Sequence, residues 1–389
     1  MLQAPTLEEK YLQKIKYLEE KLGFYEKENN LQKQNINLLN ALIKLLNEKI
    51  NSLESNNNNS MQENQIMTIN NNIAPPPYLN CDVTISEREP IHLLSKHHLN
   101  KIYCIAILKN KRLVSGGFDS KIIVYDKNYT KPDLEIKEHS GAVTSLVVSS
   151  NGNLISSSCD KTIKIFKIEE NNNKNGLVLN YYQLHTINTN HSSIYLIHVR
   201  ELSSCKLVSC SLDTKLNFYI PQNNSYSLES FDVPKFVYNF LEVINSQLVI
   251  AFVDELKLFD LKTRKFIKEI KDIACYADWV NDTLCLFGKN YLAACGNSFI
   301  YIVDLVQFKL LNKINTNSKN ISLCYWNNKI FVGTYEGMIQ EYKINDMNLS
   351  KISFKEKCHQ NYIWQILIDD EGNLISCGTD NYIKVWNKI

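Results

Sequence analysis

The chain has 389 residues, and its 43 Lys and Arg against 41 Asp and Glu leave a formal charge of only +2, so no field recruits nucleic acid or an anionic membrane as a general partner. No apolar run approaches the ~20 residues of a membrane span, and the N-terminus lacks a basic segment followed by an apolar core, so neither insertion nor secretion is expected. The eleven cysteines include no CxxC pair, and Cys104, Cys159, Cys210, Cys285, Cys295, Cys324 and Cys377 fall mostly on expected strands as small hydrophobes, which fits a reduced, cytoplasmic compartment.

Residues 7–54 carry a heptad pattern. With Ile15 at position a, Leu22, Asn29, Ile36, Ile43 and Ile50 also fall at a, while Tyr11, Leu18, Tyr25, Leu39, Leu46 and Leu53 fall at d, interrupted by Gln32. The seam is narrow and keeps seven-residue phase over roughly 70 Å at ~1.5 Å per residue, which predicts a long α-helical coiled coil. Ile at a with Leu at d favours a parallel dimer, and a buried Asn29 fixes register. The dimerisation seam is therefore Ile15, Leu18, Leu22, Asn29, Ile36, Leu39, Ile43, Leu46 and Ile50. Lys14–Glu19, Lys21–Glu26 and Glu28–Lys33 are attractive across a parallel pair of identical chains, each adding ~0–1 kcal/mol. That self-complementarity argues for a homodimer, while Leu12 and Leu42 widen the apolar face and leave pairing with another chain open.

Residues 55–89 hold Asn56–Asn59, Asn70–Asn72 and Pro75–Pro77, a composition that cannot bury enough surface to order itself. A disordered Asn/Pro-rich tether is expected there.

From about residue 98 onward one phrase recurs seven times. It is clearest as His139 with LISSSCDKTIKIF ending at Phe166, and as His359 with LISCGTDNYIKVW ending at Trp386. Within a copy, Leu154 and Ile155, a turn at Asp160, and Ile163 and Ile165 alternating around Lys164 predict two antiparallel strands. Aligned turns place Asp119, Asp160, Asp213, Asp254, Asn297, Glu336 and Asp380 at roughly forty-residue intervals, the period of stacked units. One longer gap holds Asn171–Asn173 and Gly176, a polar loop insertion.

Over residues 90–389 this run resembles the WD-repeat β-propeller family. The resemblance implies an all-β fold, a seven-bladed WD-repeat β-propeller of four-stranded antiparallel blades, preceded here by the coiled coil. It also implies a structural relay of His, Ser or Thr, Asp and Trp in each blade. The matching residues are His98, Ser115 and Asp119 in blade one, His139, Ser156 and Asp160 in blade two, and His191, Ser209 and Asp213 in blade three. Blade seven matches at His359, Ser376, Asp380 and Trp386. Tyr125 and Phe166 stand where blades one and two would have Trp, and Phe166 has no N–H to extend the relay. Blades four to six lack relay residues, although LVIAFVDELKLFD, YLAACGNSFIYIVD and IFVGTYEGMIQEYK keep two apolar runs around a turn. The chain ends at a third strand, so the strand-like segment 91–94 is expected to supply the fourth strand of blade seven and close the ring.

Chemistry is not expected. No GxxxxGK[ST] loop, GxSxG turn or zinc ligand spacing occurs, His97-His98 included, and the notable His and Asp residues are assigned to the relay. The chain is read as non-enzymatic, without cofactor or metal. The family resemblance implies ligand contacts at the residue before each turn and at inner-strand starts. Here these are Lys101, Phe118, Tyr195, Leu212, Val253, Tyr335, Tyr362 and Trp364, each weighed against simple packing on a neighbouring blade. The expected function is a scaffold or adaptor whose propeller binds a protein or peptide while the coiled coil dimerises the chain. The alternative is a subunit of a hetero-oligomeric signalling or ubiquitin-ligase complex. Against a ubiquitin-ligase receptor, Phe259-Asp260-Leu261-Lys262 lacks the Trp and Arg of a WDxR motif; against a phosphoinositide-binding propeller, the FRRG signature is absent.

Overall fold

The computed structural model describes residues 85, 89–95, 97–173, 176–192, 198–243, 246–273, 283–355 and 357–387. The coiled coil expected over 7–54, most of the tether expected over 55–89, and Tyr195 lie outside the described residues. Every described residue belongs to one compact unit, Asn80–Ile389.

No α-helix occurs among the described residues. In chain order the strands are β1 (Pro90–Ser95), then β2 (Ile102–Ile107), β3 (Leu113–Gly117), β4 (Ile122–Tyr125) and β5 (Pro132–Ile136) from the first repeat. The second repeat forms β6 (Val143–Val148), β7 (Leu154–Ser158), β8 (Thr162–Asn173) and β9 (Gly176–Asn188). The third forms β10 (His198–Glu201), β11 (Leu207–Cys210), β12 (Lys215–Pro221) and β13 (Tyr226–Asp232). The fourth forms β14 (Asn239–Val243), β15 (Gln247–Ala251), β16 (Glu255–Asp260) and β17 (Lys265–Lys271). The fifth and sixth supply β18 (Leu284–Phe287), β19 (Tyr291–Asp304), β20 (Lys309–Trp326), β21 (Lys329–Thr334), β22 (Ile339–Asn345) and β23 (Asn348–Lys355). The last supplies β24 (Ile363–Ile368), β25 (Leu374–Gly378) and β26 (Tyr382–Trp386).

The expectation of seven four-stranded blades is corrected. The strands hydrogen-bond into six sheets, hence six blades counted by sheet: five of four strands, and one six-stranded sheet from β18 to β23 that carries both the fifth and sixth repeats. The physical reason lies in β19 and β20, which run 14 and 18 residues and keep the ladder continuous where the other repeats break it. Asn297 pairs with Asn320, and Asn320 in turn with Thr334. Left-handed Asn297 and Asn317, at φ 49° and 56°, bend these strands without ending them, as Asn tolerates that region.

Second strands such as β3, β7 and β25 are buried at every position, since an apolar neighbour covers each face, and this explains their unbroken apolar runs. Outer strands are more open: in β17 only Phe266 and Ile270 are half-buried, and the other positions, Ile267 included, are exposed. Between the first two sheets Val114, Val124, Val143, Leu154 and Phe166 form one core cluster.

At four junctions a strand leaves backbone groups outside its own ladder, and side chains at one repeated position seal them. Ser322, Gln365, Cys104 and Ser145 pair across their ladders with Gly333, Cys377, Gly116 and Ser157 respectively. Each then reaches the backbone of the next inner strand. Ser322 Oγ donates to the Ile363 carbonyl at 3.1 Å, and Gln365 Oε1 accepts from the Ile105 N–H at 2.6 Å. Cys104 Sγ meets the Val143 carbonyl at 3.7 Å, and Ser145 Oγ meets that of Val199 at 3.5 Å. Polar backbone that the ladder leaves unpaired is thereby satisfied.

The N-terminal side of the array is tied to its C-terminal end. β1 pairs antiparallel with β26, Leu94 opposite Ile383, completing that sheet. Upstream, Ile85 falls in the stretch expected as tether, yet it is only 1% exposed and packs with Phe331, Ile339, Cys358, Ile363 and Trp386. Its backbone N–H donates to Glu341 Oε2 at 2.9 Å. The same oxygen accepts from Ser353 Oγ at 2.7 Å, while Oε1 faces Lys329 Nζ at 2.9 Å. Lys355 adds an ion pair to Glu89 at 2.6 Å.

Candidate interaction site

Four repeats build a buried polar chain at the turn. Taking the tautomer with hydrogen on Nδ1, His98, His139 and His359 donate to Asp119, Asp160 and Asp380 at 2.8 Å, and His191 donates to Asp213 at 2.9 Å. Their Nε2 atoms accept from Ser115, Ser156, Ser376 and Ser209 at 2.7–2.9 Å. The residue after each Asp is left-handed, at φ 65–67° for Ser120, Lys161 and Asn381 and 57° for Thr214. Space beside the imidazole is reserved by glycine: a Cβ on Gly117 or Gly378 would come within 2.7 Å of the His98 or His359 Nδ1.

The far end of the chain varies with the third-strand residue. Trp386 Nε1 donates to Ser376 Oγ at 3.1 Å. Tyr219 puts its hydroxyl 2.9 Å from Ser209 and Tyr125 its own 3.3 Å from Ser115, so a phenol stands in for the indole. Phe166 makes no such bond and is buried with Leu179 and Leu154. The sixth repeat has a different buried polar chain: Tyr342 donates to Gln340 Oε1 at 2.5 Å, and Gln340 Nε2 donates to Ser318 at 2.8 Å. A His–Asp search of the sequence does not reveal that chain. Asp254 is exposed and pairs with Lys235 at 2.7 Å.

Burial raises the carboxyls of Asp119, Asp160, Asp213 and Asp380, but the hydrogen bond and electrostatic pull of the facing imidazole, joined by backbone N–H donors, outweigh it and hold all four below their ordinary value. Burial lowers His359 against the opposing pull of Asp380. These imidazoles are committed to the fold. His97 diverges from His98 and lies edge-on to Tyr125 at 5.7 Å. Among the described residues, no group of three or more His, Cys, Asp and Glu is placed to hold a metal.

A different set of side chains faces outward. The backbone N–H groups of Phe118, Tyr335 and Thr379 donate to the carbonyls of Lys101, Lys319 and Tyr362 at 2.8–3.2 Å, which identifies these as equivalent positions in the first, sixth and last repeats. Aromatic rings join across them. Tyr335 and Tyr362 meet at 4.2 Å, Tyr362 stacks on Trp364 at 4.8 Å and 4°, Trp364 meets Tyr103 edge-on at 5.2 Å, and Tyr103 reaches Phe118 at 6.3 Å. Lys319 Nζ sits 5.0 Å from the Tyr335 ring centre. Phe118 is 52% exposed and Leu99 75%, and Lys101 is exposed beside them. The second repeat has only Ala142, Thr144 and Cys159 at the corresponding places, so the strip is one-sided.

Of the residues expected to contact ligand, Lys101, Phe118, Tyr335 and Tyr362 are therefore brought together with Trp364. Trp364 itself is only 2% exposed, held beneath the rings beside it instead of presented outward. Leu212 is half-buried and Val253 36% exposed, in the third and fourth repeats away from the strip. Tyr195 lies outside the described residues. Tyr103 and Lys319 were missed, although Tyr103 stands two residues after Lys101 just as Trp364 stands two after Tyr362, and that shared offset was the available signal.

Three segments, 88–126, 130–167 and 350–387, match the family described as WD domain, G-beta repeat. Those three segments are similar to WD40 repeats, and the described strands form a β-propeller of six sheets. The matched segments hold the first, second and last repeats, and the third, whose relay is also complete, follows the lengthened β8–β9 hairpin. The chain is also similar to a p21-activated protein kinase-interacting protein 1-like protein of Danio rerio, 23% identical over 247 residues that cover 59% of this chain and 61% of that protein. No helix among the described residues is long and apolar enough to cross a membrane.

Proposed function

We propose that this chain is a non-enzymatic interaction scaffold whose recognition surface is the aromatic strip of the sixth, last and first repeats. The observation that carries the reading is the run of contacting rings from Tyr335 to Phe118 with Phe118 and Leu99 left open to solvent. Aromatic anchors of this kind dominate protein–protein energetics. The name of the Danio rerio relative supports a p21-activated protein kinase as the first partner to test. The heptad seam over 7–54 adds pairing of two chains, which makes a second engagement intramolecular and raises avidity without new contacts. Light scattering on the full chain is expected to give about twice the 45.0 kDa chain mass; a single chain mass would remove this part of the reading.

Titration of a p21-activated protein kinase into the full chain tests the surface. Phe118→Ala and Tyr335→Ala together are expected to weaken binding by ~2–4 kcal/mol with thermal unfolding nearly unchanged. Equal affinity in the double variant, or no binding by the parent chain, would count against it. Trp364→Ala is a poor probe, because emptying a buried indole site destabilises by ~3–5 kcal/mol on its own.

A further inference from the structure

The register position of Ser322, Gln365, Cys104 and Ser145 continues into the next repeats. His198 holds it opposite Cys210 in the third repeat and Asn239 opposite Ala251 in the fourth, and Asn239 Nδ2 donates to Thr283 Oγ1 at 3.5 Å. Among these six residues only the third repeat brings an imidazole, and Arg200 follows it two positions on, on the same face of β10. His198 is buried and Arg200 half-buried. Both line a cavity of about 70 Å³ together with Cys104, Thr144, Ser145 and Gln365, so the inner strands β24, β2, β6 and β10 of the last, first, second and third repeats all contribute to its wall. No Asp or Glu is among the described residues lining it. At ~30 Å³ for a water molecule, the space suits a few waters or one small ion and is too small for a peptide side chain with its backbone.

We propose that this cavity is a binding site for a small tetrahedral oxyanion such as inorganic phosphate. Arg200 supplies a permanent positive charge and a planar fork of N–H donors that matches oxyanion oxygens. His198 has a ring N–H to donate in either tautomer. Gln365 commits its amide oxygen to the Ile105 N–H at 2.6 Å, so its contribution to the cavity is an amide N–H. Thr144 and Ser145 keep their hydroxyl hydrogens on the carbonyls of Ser157 and Val199 and serve to fix the wall. A metal cation is disfavoured at the same place, because Arg200 repels it and no carboxylate among the lining residues offsets that charge. None of the rings of the aromatic strip lines the cavity, so the site stands independently of that surface. An ion held between strands of separate sheets would stabilise the folded chain by mass action.

Calorimetric titration of inorganic phosphate into the full chain, with ionic strength held constant by chloride, tests this. One saturable site per chain is expected, with a rise in thermal midpoint that equal chloride does not give. Arg200→Gln is expected to weaken phosphate binding by about tenfold or more, and Arg200→Lys, which keeps the charge and loses the fork, by less. The His198 ring-proton resonances of the parent chain are expected to move on phosphate addition, a readout that requires no variant to fold. Phenyl phosphate separates the free ion from a phosphate group carried on a larger molecule: exclusion of the ester assigns the site to the free ion, equal affinity assigns it to the phosphate group, and both support an oxyanion site. Absence of saturable phosphate binding by the folded parent chain, or equal binding by the parent and Arg200→Gln, overturns the inference and leaves the aromatic surface untouched.

Discussion

His191 and Asp213 meet at 2.9 Å with side chains 0% and 1% exposed, and Asp213 also takes the Ser192 N–H at 2.7 Å. Removing one member of such a pair strands the other in a low-dielectric site. Asp213→Ala is expected to cost ~3–5 kcal/mol of stability, measured by denaturant unfolding; a loss within ~0.5 kcal/mol would show that the relay is incidental. The four relay carboxyls titrate below their unfolded value of ~3.9, so the unfolded chain binds more protons and stability rises with pH. Their contribution is complete above about pH 5 and is lost as pH falls through ~3.9 toward the folded values. His359, lowered from 6.5, acts in the same sense, losing stability as pH drops below its unfolded value. The thermal midpoint should therefore fall between pH 7 and 4 and more steeply below, whereas a midpoint flat down to pH 3 would contradict these assignments. At this scale the sequence was informative because a turn fixes spacing: His98 and Asp119 stand 21 residues apart, as do His139 and Asp160. The phenols of Tyr125 and Tyr219 were not seen as indole substitutes, since the role depends on a ring's position and not on its type.

Among the elements, β1 was placed from sequence as the closing strand, but Ile85 just before it was not. An isolated Ile85 between polar stretches carries no periodicity, and its burial is decided by Phe331 and Trp386, hundreds of residues away. The same limit applies to the fifth and sixth repeats, where Asn297 reads as a weakened turn and whether β19 and β20 break or continue depends on ladder pairing. Gly337, at φ 77°, shows a local demand of the opposite kind: a Cβ there would lie 2.1 Å from the His359 carbonyl, so Glu336-Gly337 is readable as a turn that only glycine completes. The seat of Ile85 predicts its own sensitivity. Ile85→Asp places a carboxylate beside the buried Glu341, and hydrogen exchange is expected to rise by about tenfold or more across residues 85–95 while β7 and its neighbours stay protected. Unchanged exchange over 85–95 would mean that β1 alone holds this end.

For the whole molecule, the best-kept relays and the aromatic strip overlap in the first and last repeats, where β1 joins β26. The sequence identified Phe118, Tyr335 and Tyr362 as separate positions, one per repeat. Their union depends on the neighbouring sheets that carry Tyr103 and Trp364, which no linear spacing encodes. Leu212 and Val253 shared the same repeat position and remain apart, so position in the repeat selects candidates and only the packing of successive sheets selects the site. The central claim is that partners engage this strip. Hydrogen–deuterium exchange on the full chain, with and without a p21-activated protein kinase, tests it directly. Slowed exchange confined to residues 99–103, 117–119, 334–336 and 360–365 is the expected result, and protection that falls on the third and fourth repeats while those segments exchange unchanged would contradict it.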